Sequence, residues 1–188
     1  MIQRICVFCG SSSGENPTYA QAARDLGQTL AQRSIGVVYG GTTLGLMGQV
    51  AQAALDAGGQ AIGVVPDFLT RKEIAHTGLT DLHVVRSLHE RKQLMARLSD
   101  GFIAIPGGMG TLDELSEMLT WTQLGLHAKP VGMLNVGGFF DRLLEFMEHM
   151  EREGFLRPAH RRLLQVAQTP VKLLDLFESR LNTPAGPA

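Results

Sequence analysis

The sequence predicts an α/β fold: a doubly wound, mostly parallel sheet with helices on both faces, built as a single domain. Three observations carry that expectation. Apolar segments of strand length alternate with helical patterns along the chain, the order that builds parallel sheets. Those segments are nearly continuous apolar runs, as strands buried on both faces require. Finally, glycine-rich loops at residues 10–14, 40–48 and 107–110 each follow a strand.

In chain order, "RICVFC" reads as a strand, and "CGSSSGENP" leads into an apolar-periodic helix over about residues 18–33. "IGVVYG" is a second strand, followed by "GGTTLGLMG" and a helix of small residues to about residue 57. "QAIGVVP" and "LHVVRS" are further strands, separated by the irregular "DFLTRKEIAHTGLT". "LHERKQLMARLS" is helical, "GFIAIP" is a strand, and the third glycine loop opens a helix running to about residue 125. "KPVGMLNV" is the last clear strand, with helices expected near residues 139–152 and 171–181. The domain is expected to span residues 1–181, with residues 182–188 a disordered tail.

Bulk properties narrow the function. The chain has 188 residues and a net charge of −1, which gives no electrostatic footprint for nucleic acid. Its longest apolar runs are strand-sized, too short to span a membrane. "MIQRICVFCG" carries no signal-peptide pattern, and two cysteines suit a reduced, cytoplasmic protein. Cys6 and Cys9 form a C-x-x-C, but within a strand-like run, so period two sends the thiols to opposite faces. With no second pair at metal spacing, they read as structural. The six histidines show no metal-binding spacing, and no metal or cofactor is expected.

The glycine loops point to a ligand. In a doubly wound sheet the strand C-terminal ends share one edge, where ligands bind. No G-x-x-x-x-G-K-[ST] is present, so a magnesium-nucleotide P-loop is not indicated. "GMGTLD" has Asp113 where a dinucleotide fingerprint has its third glycine, and it follows a late strand. There remains a helix N-terminus whose backbone N–H groups at Gly107, Gly108, Met109, Gly110 and Thr111, with the Thr111 hydroxyl, suit one phosphate. Asp113 and Glu114 then fall in the first helical turn. Asp113 is explained as a complement to the helix dipole. Glu114 can turn back over whatever the loop holds, and a carboxylate beside a sugar stabilises oxocarbenium character in glycosidic cleavage.

"VYGG…GLMG" (residues 38–48), "HERK" (89–92) and "PGGMGTLDE" (106–114), followed by "TW" and "KPVGMLNV", resemble the Lonely Guy family of cytokinin riboside 5′-monophosphate phosphoribohydrolases, long mislabelled as lysine decarboxylases. The resemblance runs from "CVFCGSS" to about residue 158 and extends the fold expectation to a Rossmann-like sheet. It implies hydrolysis of the N-glycosidic bond of adenosine 5′-monophosphates, such as AMP or isopentenyladenosine monophosphate, and a homodimer. It implies Arg91 and Glu114 as the catalytic pair, with the loop from Gly108 to Glu114 on the nucleotide. Glu73, Lys92 and Thr120 are implied as further ligands, and Gly41 and Thr42 of the second loop are candidates beside them. Leu88 departs from the methionine that commonly precedes this HxRK segment. On composition alone Arg91 reads instead as a solvated charge on a helix face.

Two other classes remain. One is a non-catalytic nucleotide carrier on the same fold. The other is a decarboxylase, which needs a lysine Schiff base with pyridoxal phosphate; Lys72, Lys92, Lys129 and Lys172 offer no such setting.

Overall fold

The computed structural model describes residues 1–70, 76 and 78–182. Strands β1 (Arg4–Phe8), β2 (Gly36–Tyr39), β3 (Ala61–Pro66), β4 (Asp81–Val85), β5 (Gly101–Ala104), β6 (Val131–Leu134) and β7 (Leu164–Ala167) form one sheet in the order β4-β3-β2-β1-β5-β6-β7. Every pairing is parallel. The chain builds outward from β1 to β4, then returns to place β5 on the other side of β1. The strand order therefore reverses between β1 and β5, which opens a crevice at their C-terminal ends.

Side-chain alternation divides the core in two. Ile5, Val7, Val37, Tyr39, Ile103 and Ile105 face one way. They pack on α1 (Pro17–Gln32), α2 (Gly45–Asp56) and α8 (Pro170–Asn182) through Leu26, Leu30, Leu46, Val50, Leu173 and Phe177. Cys6, Phe8, Val38, Val64, Phe102 and Met133 face the other way. Their partners are Met95, Leu115, Met118 and Met147 of α4 (Leu88–Leu98), α5 (Met109–Gln123) and α6 (Asp141–Arg152). Cys6 and Cys9 fall in opposite clusters, both buried and free, as the strand period requires.

The structure corrects the sequence reading in three places. β7 was not expected; it is a four-residue edge strand whose polar Gln165 breaks the apolar run. Asn182 closes α8, so the helix takes in the first residue assigned to the tail; the tail beyond it lies outside the described residues. The third correction concerns the site: α5 begins at Met109, so its first turn contains no acidic residue. Asp113 and Glu114 sit one turn further in, and the helix dipole does not explain Asp113. Short α3 (Asp67–Thr70) and α7 (Pro158–Arg161) and a 3-10 turn at Val136–Gly138 complete the described helices.

Candidate active site

All three glycine loops reach the expected edge, but their helices begin differently. At α1, Asn16 accepts a hydrogen bond from the Thr18 N–H at 3.0 Å, and Pro17 occupies the first turn. At α2, the Gly10 carbonyl accepts from the N–H groups of Leu46 at 3.0 Å and Met47 at 3.4 Å. The first loop thus closes the helix start that follows the second. Among the described residues, only α5 of these three begins without such a partner: Gly108 is its N-cap and gives no side-chain bond. Its first-turn N–H groups have no intrahelical acceptor, and there is open space beside the helix start, for a Cβ at Gly108 or Gly110 would meet nothing within 4 Å.

That helix start borders a cavity of about 300 Å³ lined by Gly108, Met109, Gly110, Thr111 and Glu114, by Gly10 and Ser11 after β1, and by Arg91 of α4. The Gly10 N–H donates to the Pro106 carbonyl at 3.1 Å, joining the first and third loops across the switch point. Gly107 lies against this joint, where a Cβ would come within 2.7 Å of the Gly10 nitrogen. Thr111 is 3% exposed, and its hydroxyl lies next to the Gly107 backbone.

Arg91 is not a solvated helix-face charge. Ser87 caps α4 by accepting from the Glu90 N–H at 3.1 Å, and the Glu90 carboxylate accepts from the Arg86 N–H at 2.9 Å. This arrangement sets the start of α4 and turns Arg91 inward under the strand ends. There its Nε donates to the Val64 carbonyl at 3.1 Å and Nη2 to the Gly40 carbonyl at 3.4 Å. The guanidinium is held by two backbone acceptors while facing the cavity.

Glu114 faces the same cavity. Burial pushes its carboxyl up to about 7; the Arg91 charge works against that rise, Asp113 and Glu117 add to it, and Lys92 opposes it. A carboxyl in this range exchanges its proton near neutral pH, as catalytic carboxyls do. Cys9 also lines the cavity, but burial and the Glu114 charge hold its thiol far above the usual range. It is therefore no nucleophile at neutral pH.

The remaining expected ligands are not gathered here. Lys92 points away, to Asp113 at 3.1 Å and Glu117 at 3.2 Å. Gly41 adopts φ 78° against Gly63 and Leu82 and does not line the cavity, and Thr42 is buried with its hydroxyl accepting from the Leu44 N–H at 3.1 Å. Gly40 lines the cavity in their place. Thr120 is exposed, its hydroxyl donating to the Ser116 carbonyl. Glu73 lies outside the described residues. Sequence reasoning missed Val7, Ser11, Met47 and Met95 in the lining; Ser11 and Met47 lie within the glycine loops and were findable, whereas Val7 and Met95 resemble any core residue. A larger hollow of about 830 Å³ lies at the opposite edge of the sheet, around Gln3, Arg33 and Gln60, away from every glycine loop.

A probable cytokinin riboside 5′-monophosphate phosphoribohydrolase of Oryza sativa, LOGL9, is 49% identical over 176 residues, covering 94% of this chain and 78% of that protein. The chain belongs to the Lonely Guy family. A second family member, the Arabidopsis thaliana phosphoribohydrolase LOG3, is 47% identical across 94% of this chain and 82% of its own length. The family profile described as "Possible lysine decarboxylase" matches residues 47–177. Among solved structures, the molybdenum cofactor carrier protein of Chlamydomonas reinhardtii superposes with a TM-score of 0.72 at 21% identity, covering 97% of this chain and 100% of that one. The molybdenum cofactor binding protein of Rippkaea orientalis gives 0.72 at 25% identity, over 97% and 99%. The first of these likenesses shows that the family shares its fold with carriers.

Proposed function

We propose that this protein hydrolyses the N-glycosidic bond of adenosine 5′-monophosphates, plain or N6-substituted, releasing the base and ribose 5-phosphate. The observation that carries this reading is the meeting, in one cavity, of an unpartnered helix N-terminus, a carboxyl near neutral pKa and a backbone-anchored arginine. The α5 N–H groups and the Thr111 hydroxyl take the 5′-phosphate. Glu114, one turn along the helix, then faces the ribose. As the C1′–N bond breaks, its carboxylate stabilises positive charge at C1′ or takes a proton from the attacking water. The water oxygen bonds to C1′, and a proton passes to the departing base. The Arg91 guanidinium offers only donors, so its part is to orient the base or Glu114.

A pure carrier has little use for a half-buried carboxyl beside a bound sugar phosphate, and Glu114 favours hydrolysis over that reading. A decarboxylase requires a lysine in the cavity, and among the described residues none lines it. We also propose a homodimer. Large apolar side chains stand exposed at Leu124 (66%) and Leu126 (67%) after α5, and Thr120 lies roughly 9 Å along α5 from Glu114, where a second copy's nucleotide would meet it. Two free buried cysteines suit a cytoplasmic setting, and no described helix is long and apolar enough to cross a membrane.

The deciding experiment compares kcat/KM for AMP and isopentenyladenosine monophosphate with that for their nucleosides, following free base by chromatography. Each charge-assisted bond contributes about 1.5–3 kcal/mol, so losing three lowers kcat/KM on the order of 10³-fold or more. Because the phosphate also positions C1′, kcat falls as well. Nucleosides cleaved as readily as their monophosphates would mean that the α5 start holds no substrate phosphate.

A further inference from the structure

We propose that Lys92 is a positioning residue: with Asp113 and Glu117 it forms an ion-pair clamp that holds α4 to α5 and so keeps Arg91 and Glu114 in their places. The inference rests on the hydrolase reading for its kinetic tests and on geometry for its substance. Lys92 follows Arg91 directly, and Asp113 directly precedes Glu114. The Lys92 ammonium lies 3.1 Å from Asp113 and 3.2 Å from Glu117, two carboxylates one turn apart on the same face of α5. Its side chain is only 12% exposed, against 64% for Asp113. One cation thus engages two successive turns of the opposite helix.

Adjacent helical residues point about 100° apart. Fixing Lys92 against α5 therefore fixes the direction of Arg91, which reaches the Val64 and Gly40 carbonyls instead. The same reasoning holds across the clamp, where fixing Asp113 fixes the rotation of α5 about its axis and the aim of Glu114. The resemblance counts Lys92 among nucleotide ligands, but its ammonium is already engaged outside the cavity.

The clamp also places charge beside the acid. The groups that act on Glu114 are Arg91 and Lys92 from α4 and Asp113 and Glu117 from its own helix; Cys6 of β1 and Cys9 just after that strand feel its charge as well. Lys92 favours the carboxylate, and Asp113 opposes it. Removing one member of the clamp or the other therefore moves the Glu114 titration in opposite directions, which a loss of packing would not do.

The test uses the full chain as Lys92→Met, which keeps the apolar stem, together with Asp113→Asn and the swap Lys92→Asp/Asp113→Lys. Two readouts are taken: kcat and KM for AMP, and the Glu114 carboxyl titration by carbon NMR, assigned by its loss in Glu114→Gln. Lys92→Met is expected to lower kcat about tenfold with KM within about threefold. Its Glu114 titration should rise by about half a pH unit, and that of Asp113→Asn should fall by a similar amount. The swap should recover part of kcat. A KM raised more than about tenfold at unchanged kcat would make Lys92 a nucleotide ligand and overturn the proposal, as would titrations unmoved or moved in the same direction. Should Lys92→Met fail to fold, Lys92→Arg keeps the charge and must titrate as wild type does. The NMR readout needs no turnover, so it judges the clamp even where wild-type protein leaves every monophosphate intact, the result that sinks the hydrolase reading instead.

Discussion

Replacing Glu114 by glutamine is expected to slow turnover sharply and yet stabilise the protein, by an amount that depends on pH. The folded carboxyl loses its proton near about 7, whereas its ordinary value is 4.5. At about 1.4 kcal/mol for each tenfold change in proton affinity, ionising it inside the fold costs on the order of 3 kcal/mol. Below about pH 4.5 both states hold the proton, and there is no penalty. Between the two values the folded state binds more protons than the unfolded chain, so stability falls as pH rises, and above about 7 the penalty is complete. Glutamine carries no charge and escapes it. The variant's advantage is therefore under about 1 kcal/mol near pH 5 and about 3 kcal/mol near pH 8. For a chain of this length about 1 kcal/mol moves Tm by roughly 2–4 °C, so the gain near pH 8 is roughly 6–12 °C. Thermal unfolding of both proteins at the two pH values, at one ionic strength, reads this directly. Equal offsets at both, or a wild type that melts higher near pH 8, would refute the argument. In the same variant kcat should fall by about 10²-fold or more, the loss expected for a group that stabilises developing charge.

Arg91→Lys keeps the charge but offers one ammonium where a planar fork reaches two carbonyls, Val64 and Gly40. A fall in kcat/KM of about tenfold or more is expected, and activity within about threefold of wild type would leave Arg91 a simple charge. Gly110→Ala places a methyl group where the protein itself has nothing within 4 Å. The fold should gain up to about 1 kcal/mol from helix propensity, while AMP affinity falls, because the methyl enters the space given to phosphate. Unchanged affinity by calorimetry would move the phosphate elsewhere.

The parts of this molecule that depend on local pattern were legible in the sequence. Apolar runs such as "GVVY" and "AIGVVP" located the central strands, and glycines located the edge where the site lies. What escaped depends on contacts distant in sequence. Nothing in "GGTTLGLMG" says that the Gly10 carbonyl closes its helix, so the three loops looked equivalent until they were seen together. Arg91 is set by carbonyls 27 and 51 residues away, which composition cannot anticipate. The start of α5 at Met109 rather than near Thr111 is a shift of two residues, about half a helical turn. That shift takes Asp113 out of the first turn, and its partner is Lys92 and not the helix dipole.

Gly10 gives the site its mechanical character. Its N–H is tied to Pro106, its carbonyl to Leu46 and Met47, and a Cβ there would come within 2.8 Å of the Ser12 oxygen and 3.3 Å of the Gly107 Cα. One residue thus serves as the joint where three loops meet, and none of them can shift without moving the others. Adaptation to ligands of different shape must then come from what hangs on this frame. Met47, Met95 and Met109 line the cavity, and an unbranched thioether repacks around varied shapes more readily than any other apolar side chain. Chemists seeking to retune such an enzyme for bulkier or smaller bases would leave the glycines alone and exchange the methionines, where the tolerance of the cavity resides.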